Sequence, residues 1–286
     1  MKSVSVIIPT YNRAQLITRA IRSVLDQEYT GSIEVIIIDD CSNDSTRQVV
    51  AGISDQRIRY VKLSTRNGAC AARNTGILEA KGELIAFLDS DDFWLPGKLA
   101  RVAECFERVN ADVVFHAFER RGLVQNCIER IPPANVTSRW INTSDLLPGN
   151  MASTQTLVFD RNCIQGNLFD PCMPRFQDWE LMLRLCLQNK KIFYLNEVLA
   201  VAEVQEDSIT RDNEKGYYAF ARLFSMLATE YKKLNKENQV LMKKVQEFST
   251  EAQESSKELQ RLKESKSWRI TAPLRKLSRI LKRKSI

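Results

Sequence analysis

The fold is decided by the stretch Leu84-Ile85-Ala86-Phe87-Leu88-Asp89-Ser90-Asp91-Asp92-Phe93-Trp94, in which five apolar residues run directly into three carboxylates. An apolar run without alternation predicts a strand buried on both faces, which is typical of a parallel sheet. Ligands of open α/β sheets bind at the carboxyl ends of the strands, where Asp89, Asp91 and Asp92 would lie. Adjacent carboxylates suit magnesium or manganese bridged to a substrate phosphate. The plainer alternative is a solvated acidic turn, because an Asp-x-Asp pair alone is weak evidence.

The composition is that of a globular protein with one large or two small domains. The chain has 286 residues, of which 44% are hydrophobic and 27% charged. Its apolar runs are too short to span a membrane, and its start does not resemble a signal peptide. The seven cysteines are scattered and form no Cys-x-x-Cys pair. This pattern favours free thiols in a reducing cytoplasm over disulfides or a zinc site.

Apolar runs alternate along the N-terminal half with segments that suit helices. Such alternation is typical of βαβ units and therefore of a parallel sheet. We expect Asn12 to cap the first helix. The expected strands are Val4–Ile8, Glu34–Ile38, Ile58–Leu63, Leu84–Leu88, Val113–Phe118 and Met151–Phe159.

Polar or acidic loops follow three of the expected strands. They contain Tyr11, the pair Asp39 and Asp40, and the carboxylates after Leu88. Because the carboxyl ends of parallel strands meet at one edge, we expect a pocket there for a polar, phosphate-bearing ligand. The chain contains neither G-x-G-x-x-G after the first strand nor a P-loop motif, which argues against a dinucleotide dehydrogenase and a P-loop enzyme.

Four blocks of sequence carry a family resemblance. They are Val4–Arg13 (VSVIIPTYNR), Ile36–Asp44 (IIIDDCSND), Asn67–Gly76 (NGACAARNTG) and Phe87–Asp92 (FLDSDD). In this order and spacing they resemble the inverting family 2 glycosyltransferases of GT-A fold. The resemblance implies a Rossmann-like, mostly parallel sheet with flanking helices over residues 1–215. Residues 1–110 would form a nucleotide-binding half and residues 111–215 an acceptor half.

The resemblance also implies roles in a nucleotide-sugar site. Pro9, Tyr11 and Asp39 would shape the pocket for the base, with Asp39 accepting from a ring N–H, and Arg73 would lie near the diphosphate. Each has a structural alternative. Tyr11 could simply pack on the sheet edge, Asp39 or Asp40 could cap a helix, and Arg73 could be a surface ion-pair partner.

The Asp-x-Asp block would hold the donor and a divalent cation. The resemblance places Asp89 and Ser90 against the nucleotide-sugar and assigns Asp89 and Asp91 to manganese or magnesium. Many relatives have a later His that helps to hold the metal or diphosphate. The single His of this chain, His116, comes too early and is expected to be structural.

A later block, Phe176-Gln177-Asp178-Trp179-Glu180-Leu181, opens an expected helix and resembles the Glu-Asp block of the family. The resemblance makes Asp178 the catalytic base, which would take the proton of the attacking sugar hydroxyl. Gln177 stands where relatives usually have Glu. A role for Asp178 at the start of the helix is compatible with catalysis.

The expected reaction transfers a sugar from a nucleotide-diphospho-sugar, with a UDP-sugar favoured, to a lipid-linked glycan or other glycan acceptor. One rival is a catalytically weak scaffold of transferase-like fold that assembles a polysaccharide-synthesis complex. A second is a nucleotidyltransferase, which would more typically carry a Gly-rich phosphate loop with a Lys after the first strand.

Residues 216–265 show an apolar heptad repeat with no Pro, which predicts a coiled-coil helix about 70 Å long at a rise of about 1.5 Å per residue. The apolar members include Phe220, Phe224 and Leu227, and Asn238 occupies a core position. One Asn at such a position favours a parallel dimer in a fixed register. The alternative is an amphipathic helix packed on the enzyme's own surface.

Residues 266–286 form a basic tail. They contain eight Lys or Arg residues and no acidic one, so the rest of the chain carries about −1 of the net +7. Beyond Pro273, leucines and Ile280 share one side of a helical wheel and most of the basic residues the other. This pattern predicts an interfacial helix on an anionic membrane surface.

Two alternatives for the tail are a solvated basic segment and a nucleic-acid patch. Trp268 is its one aromatic residue, which argues against nucleic acid. The segment Ser267–Arg275 also resembles tails of bacterial enzymes of surface-polysaccharide synthesis. We therefore expect a cytoplasmic protein that is peripheral on the inner face of the cell membrane.

Overall fold

The computed structural model describes residues 1–122, 127–204, 213–234, 246, 248–250, 253–258 and 260–261. The chain forms two compact units, Met1–Arg211 and Asp212–Ile286. In the described part of the chain, no helix combines the length and the apolar character that a bilayer span needs. The division of the first unit into donor and acceptor halves stays a prediction.

Four parallel strands form one side of the sheet. They are β1 (Val4–Thr10), β2 (Ile33–Asp39), β3 (Ile58–Lys62) and β4 (Leu84–Phe87), arranged in the order β3-β2-β1-β4. The helices between them are α1 (Ile17–Leu25), α2 (Thr46–Ala51) and α3 (Gly68–Glu79). The expected parallel arrangement is therefore confirmed, because each crossover helix returns the chain to the same edge of the sheet.

The second half of the unit extends the sheet beyond β4. The added strands are, in order, β9 (Leu157–Asp160), β6 (Val113–Arg121), β10 (Ile192–Glu203) and β5 (Phe93–Trp94). Strand β9 is antiparallel to both β4 and β6, whereas β6 and β10 are parallel. The other elements are α4 (Lys98–Val109), β7 (Ile128–Ile131), β8 (Arg139–Ile141), α5 (Thr143–Leu146), α6 (Arg161–Gln165) and α7 (Gln177–Leu187). The expected mostly parallel sheet with flanking helices is confirmed as a mixed sheet, in which β5, β7, β8 and β9 pair antiparallel with their neighbours.

Two local expectations are wrong. The strand expected over Met151–Phe159 begins only at Leu157, because a 3-10 turn at Thr154–Thr156 precedes it. Asn12 does not cap the first helix, which starts at Ile17 after Leu16. Asn12 has a positive φ of 51° and accepts a hydrogen bond from the backbone of Asn43, so it joins two loops at the strand ends.

Helix α3 packs very closely on the central strand β1. A Cβ added at Gly76 would lie 2.4 Å from Ile7 Cγ2, which is closer than side chains can approach. Ile7 is fully buried in a strand with apolar residues on both faces, so it has little room to move. The absence of a side chain at Gly76 therefore sets the distance between α3 and the sheet.

The second unit contains helix α8 (Asn213–Leu234), in which Ala219, Leu223 and Leu227 are buried. The rings of Phe224 and Phe248 stack with centroids 6.2 Å apart. A single straight helix would separate these positions by about 36 Å, at about 1.5 Å per residue. The expectation of one continuous helix about 70 Å long over residues 216–265 is therefore wrong, and the coiled coil stays a prediction. The dimer stays a prediction, while Asn238 and the tail 266–286 lie outside the described residues.

We expect Gly76→Ala to destabilise the first unit, because the new methyl group overlaps Ile7. Overpacking of this kind typically costs about 1–3 kcal/mol. Gly166→Ala is the matched control, since Gly166 has helical dihedrals and open space around its Cβ position. Chemical denaturation measures both variants, and equal stability of the two would contradict the packing argument.

Candidate active site

The loops after β1, β2 and β4 meet at one edge of the sheet, as their strand order requires. The backbone N–H of Asp40 donates to Thr10 O at 2.8 Å, and that of Leu88 donates to Ile7 O at 3.0 Å. Tyr11, Asp39 and the Asp-x-Asp loop are therefore brought to the same edge. This is the position at which open α/β sheets bind ligands.

The proposed base pocket is built around Asp39, which is fully buried. Its Oδ1 accepts from the backbone N–H of Ser42 at 2.7 Å, and its Oδ2 accepts from the Tyr60 hydroxyl. Burial, followed by the bond to Asp39, raises the pKa of Tyr60 well above its usual range. A carboxylate has about four acceptor positions, so Asp39 retains capacity for a ring N–H. Sequence reasoning did not find Tyr60, because its role depends on the pairing of β2 with β3.

Tyr11 and Pro9 line the same edge from β1 and the loop that follows it. Pro9 is buried within the strand, opposite Ile38 of β2. Tyr11 is partly buried, and the guanidinium carbon of Arg66 lies 3.9 Å from its ring centroid. The guanidinium of Arg66 thus stacks on the Tyr11 ring at the edge of the pocket. Its contact with a nucleotide base stays a prediction.

Asp40 supports the start of α3. Its carboxylate accepts from the backbone N–H groups of Asn67 and Gly68, both at 2.7 Å. Helix N-termini carry unpaired N–H groups and a partial positive charge, which a carboxylate stabilises. The capping role considered for the Asp39–Asp40 pair therefore belongs to Asp40 and fixes the position of α3.

Arg73 of α3 joins two parts of the site. Its Nη2 donates to Asp89 Oδ1 at 2.6 Å, and its Nη1 donates to Gln177 Oε1 at 2.9 Å. The side chain of Arg73 is only 6% exposed, so the surface ion pair considered as an alternative is excluded. The planar guanidinium can bond two partners at once, which an ammonium does less well. The Asp-x-Asp loop and the first residue of α7 are therefore tied together.

Asp89 and Asp91 are the accessible carboxylates of the Asp-x-Asp loop, with side chains 28% and 23% exposed. Asp91 Oδ2 lies 3.7 Å from Arg13 Nε. Ser90 and Asp92 are buried, and Asp92 accepts from the backbone N–H of Glu203 at 2.8 Å. Burial, then the charges of Asp89 and Asp91, raise the pKa of Asp92 well above its usual range.

The donor set fits a cation shared with a substrate. Among the described residues no cluster of three or more His, Cys, Asp and Glu side chains could hold a metal ion alone. Two partly exposed carboxylates with hard oxygens match the way magnesium is held by one or two carboxylates plus substrate phosphates. The metal ligands Asp89 and Asp91 therefore stay a prediction that the chemistry of these residues supports.

Asp178 is the second residue of α7 and faces the Arg73 network. Its Oδ1 accepts from Trp179 N at 2.8 Å and from Asn150 Nδ2 at 3.1 Å. No residue in the described ranges donates a hydrogen bond to Oδ2. Burial is the largest influence on Asp178 and raises its pKa to about 6, although the two hydrogen bonds and Arg73 act in the opposite direction. One oxygen is thus fixed and the other is left to accept a proton.

His116 is not part of this arrangement. It is fully buried in β6, and its Nδ1 donates to Ala117 O at 2.8 Å. Burial lowers its pKa well below the usual range, so it remains neutral. The expectation that this His is structural is confirmed. Gln205, Glu206 and Asp207 could stand near the position of the family's later His, and they lie outside the described part of the chain.

Comparison with known proteins agrees with this geometry. The model of the family described as glycosyl transferase family 2 matches residues 5–153. The chain belongs to this family. The match includes the strand-end loops and the Asp-x-Asp block, whereas Asp178 lies beyond its end.

Two relatives are bacterial glycosyltransferases. The putative colanic acid biosynthesis glycosyl transferase WcaA of Escherichia coli K12 is 33% identical over 233 residues, covering 77% of this chain and 80% of WcaA. The UDP-Glc:alpha-D-GlcNAc-diphosphoundecaprenol beta-1,3-glucosyltransferase WfgD of Escherichia coli is 33% identical over 186 residues, covering 65% of this chain and 70% of WfgD. This family 2 member is therefore a glycosyltransferase.

A solved structure shares the fold. Residues 1–349 of TarS from S. aureus, crystallised with UDP-GlcNAc, superpose with a TM-score of 0.66 at 23% identity. The match covers 80% of this chain and 66% of the TarS chain. The expected GT-A-like architecture is confirmed by this likeness.

We expect sugar transfer by the enzyme to fall on the acid side with an apparent pKa of about 6, because Asp178, the predicted base, could take up a proton only when ionised. Its pKa is raised from its ordinary value, so the active form is lost as the pH drops through about 6, roughly tenfold per unit. The turnover rate at saturating substrate, measured from pH 5 to 8, checks this. A rate that stays constant down to pH 5 would contradict it.

We expect Arg73→Ala to destabilise the metal-free protein by about 1–3 kcal/mol, because Asp89 and Gln177 both lose a buried partner. Arg59→Ala is the control, since Arg59 pairs with Glu79 at 2.8 Å on the surface and such pairs contribute less than about 1 kcal/mol. Denaturant titrations in the presence of EDTA compare the free energies of unfolding of the two variants. A larger loss of stability in Arg59→Ala than in Arg73→Ala would contradict the structural role given to Arg73.

Proposed function

We propose that this enzyme transfers a sugar from a UDP-sugar to a hydroxyl of a lipid-linked glycan, with inversion and with Asp178 as the base. The observation that carries the proposal is the bridge that Arg73 makes between the donor loop and the start of α7. Arg73 contacts Asp89 directly and contacts Gln177, the residue before Asp178. A base and a leaving-group site joined by one buried side chain suit a single in-line displacement.

The donor would bind at the strand ends of β1, β2 and β4. Tyr11 and Pro9 would contact the base, and Asp39 would accept its ring N–H. Uridine is favoured because the name of the relative WfgD specifies UDP-Glc as donor. Ser90 is buried beside Asp89, so its contribution to the donor site would be small.

Asp89 and Asp91 would hold a divalent manganese or magnesium ion together with the donor diphosphate. Such an ion supplies positive charge to the leaving group. Arg73 lies 2.6 Å from Asp89 and adds a fixed positive charge on the protein side. The residues thus combine two carboxylates for the cation with an arginine that orients one of them.

Asp178 would remove the proton of the acceptor hydroxyl. The hydroxyl oxygen forms a bond to the anomeric carbon, the bond from that carbon to the diphosphate oxygen breaks, and the proton passes to Asp178 Oδ2. With a pKa of about 6, Asp178 is mostly ionised at neutral pH yet more basic than an ordinary Asp. This is the range in which a general base is effective near neutral pH.

The acceptor would be a glycan on a lipid diphosphate at the inner face of the cell membrane. The name of WfgD specifies an undecaprenol-linked acceptor. The basic tail, residues 266–286, would hold the enzyme at an anionic surface, and residues 216–265 would mediate a dimer. The basic tail lies outside the described residues.

Two features of the sequence favour the scaffold alternative. Gln177 stands where relatives usually have Glu, and no His follows the block that contains Asp178. Gln177 accepts from Arg73 through Oε1, as a Glu carboxylate would, and its Nε2 also donates to Met173 O at 3.0 Å, which a carboxylate could not do. This observation favours the enzyme over the scaffold. The scaffold remains the outcome that a failed ligand test would support.

A thermal-shift panel of UDP, GDP, ADP and CDP, each with and without manganese, tests the donor site. A ligand that binds only the folded state raises the melting temperature by mass action. We expect a manganese-dependent rise of several degrees with UDP that is lost in Asp91→Ala.

The matched control is Asp55→Ala, because Asp55 precedes β3 and so lies at the amino ends of the parallel strands, opposite the edge that carries the proposed site. Its response to UDP should equal that of the parent protein. An absence of any nucleotide response from a well-folded sample would support the scaffold instead.

A further inference from the structure

Asn150 lies in the segment between α5 and the 3-10 turn, outside every sequence block that carried the family resemblance. Its Oδ1 accepts from the backbone N–H of Ala152 at 3.1 Å, and its Nδ2 donates to Asp178 Oδ1 at 3.1 Å. The bond from Ala152 settles which end of the amide is oxygen, since only the oxygen can accept it. The Nδ2 end therefore faces Asp178.

The segment that carries Asn150 is attached to the protein at both ends. The indole N–H of Trp179 donates to Leu146 O at 2.7 Å, and Lys98 Nζ donates to Gln155 O at 2.6 Å. Trp179 follows Asp178 directly in α7, and Lys98 is fully buried at the start of α4. Asn150 is thus held opposite Asp178 by contacts that do not involve Asn150 itself.

Among the described residues, the charged and titratable groups that act on Asp178 lie on α3 and in the loop after β4. Arg73 and the thiol of Cys70 belong to α3, and Asp89 follows β4. Arg73 favours the ionised carboxylate of Asp178, and Asp89 opposes it. The amide of Asn150 adds a donor from a third direction without adding charge.

We propose that Asn150 is a positioning residue that fixes Oδ1 of the base Asp178 and leaves Oδ2 for the acceptor proton. Asn150 and Trp179 both donate to Oδ1, so rotation of the carboxylate would break two hydrogen bonds. The expected effect of Asn150 on turnover rests on the proposed function, whereas its expected effect on the ionisation of Asp178 is independent of that function.

The proposal predicts a direction for each substitution. A hydrogen bond to the ionised form of a carboxyl group favours that form, so Asn150→Ala raises the pKa of Asp178. The fall of turnover on the acid side, called the acid limb below, then moves to higher pH by about one unit. Asn150→Asp keeps an acceptor for Ala152 but places a like charge beside Asp178. It should move the limb further than Asn150→Ala does.

The experiment measures turnover against pH for the full-length parent, Asn150→Ala, Asn150→Asp and Asn150→Gln. Asn150→Gln restores an amide donor and should return the limb toward that of the parent. Asn167→Ala is the control, because Asn167 is a buried Asn that donates to Cys163 O at 2.9 Å away from the base. It should leave the limb unchanged even where it lowers stability.

A second measurement follows the carboxyl carbon of Asp178 by NMR in protein labelled with ¹³C-aspartate, assigned with Asp178→Asn. This titration needs no substrate, so it tests Asn150 even if the enzyme transfers no sugar from the donors tried. An upward shift in Asn150→Ala supports the proposal. Equal titration in the parent and Asn150→Ala, or an acid limb that stays in place while turnover falls at every pH, would overturn it.

Discussion

The arrangement of the site depends on one buried guanidinium. Arg73 is almost inaccessible to solvent, and burying a cation costs free energy unless its charge is paired and hydrogen-bonded. The partners of Arg73 are Asp89 of the Asp-x-Asp loop and Gln177 at the start of α7. Displacement of either element would leave polar groups buried without partners. The donor loop and the helix that carries Asp178 are therefore held at a fixed separation.

Helix α3 has to be placed accurately for Arg73 to reach both partners. Gly76 allows close packing on Ile7, and Asp40 holds the first backbone N–H groups of the helix. The family's usual Glu at position 177 would give Arg73 a second carboxylate. Gln177 bonds the same guanidinium without adding a negative charge next to Asp178, whose pKa a further carboxylate would raise.

Much of the nucleotide-binding half, residues 1–110, could be predicted from the amino-acid sequence. Continuous apolar runs such as Leu84–Leu88 identify buried parallel strands, and the polar residues after them fall at one edge of the sheet. Tyr60 and Asn150 could not be predicted this way. Tyr60 meets Asp39 through strand pairing, and Asn150 meets Asp178 through the packing of an irregular segment against α7. Neither contact follows from local spacing.

By itself, the sequence determined the βαβ order, the edge at which the carboxylates meet and the family to which the enzyme belongs, because these depend on local periodicity and short motifs. The tertiary structure alone decided that Arg73 is buried, that Asp40 caps α3 and that β9 enters the sheet antiparallel. It also decided that Phe224 lies against Phe248, where one continuous helix would place them about 36 Å apart. The reason is physical: burial, ionisation and strand direction depend on neighbours distant in sequence, and those neighbours are set only when the chain packs.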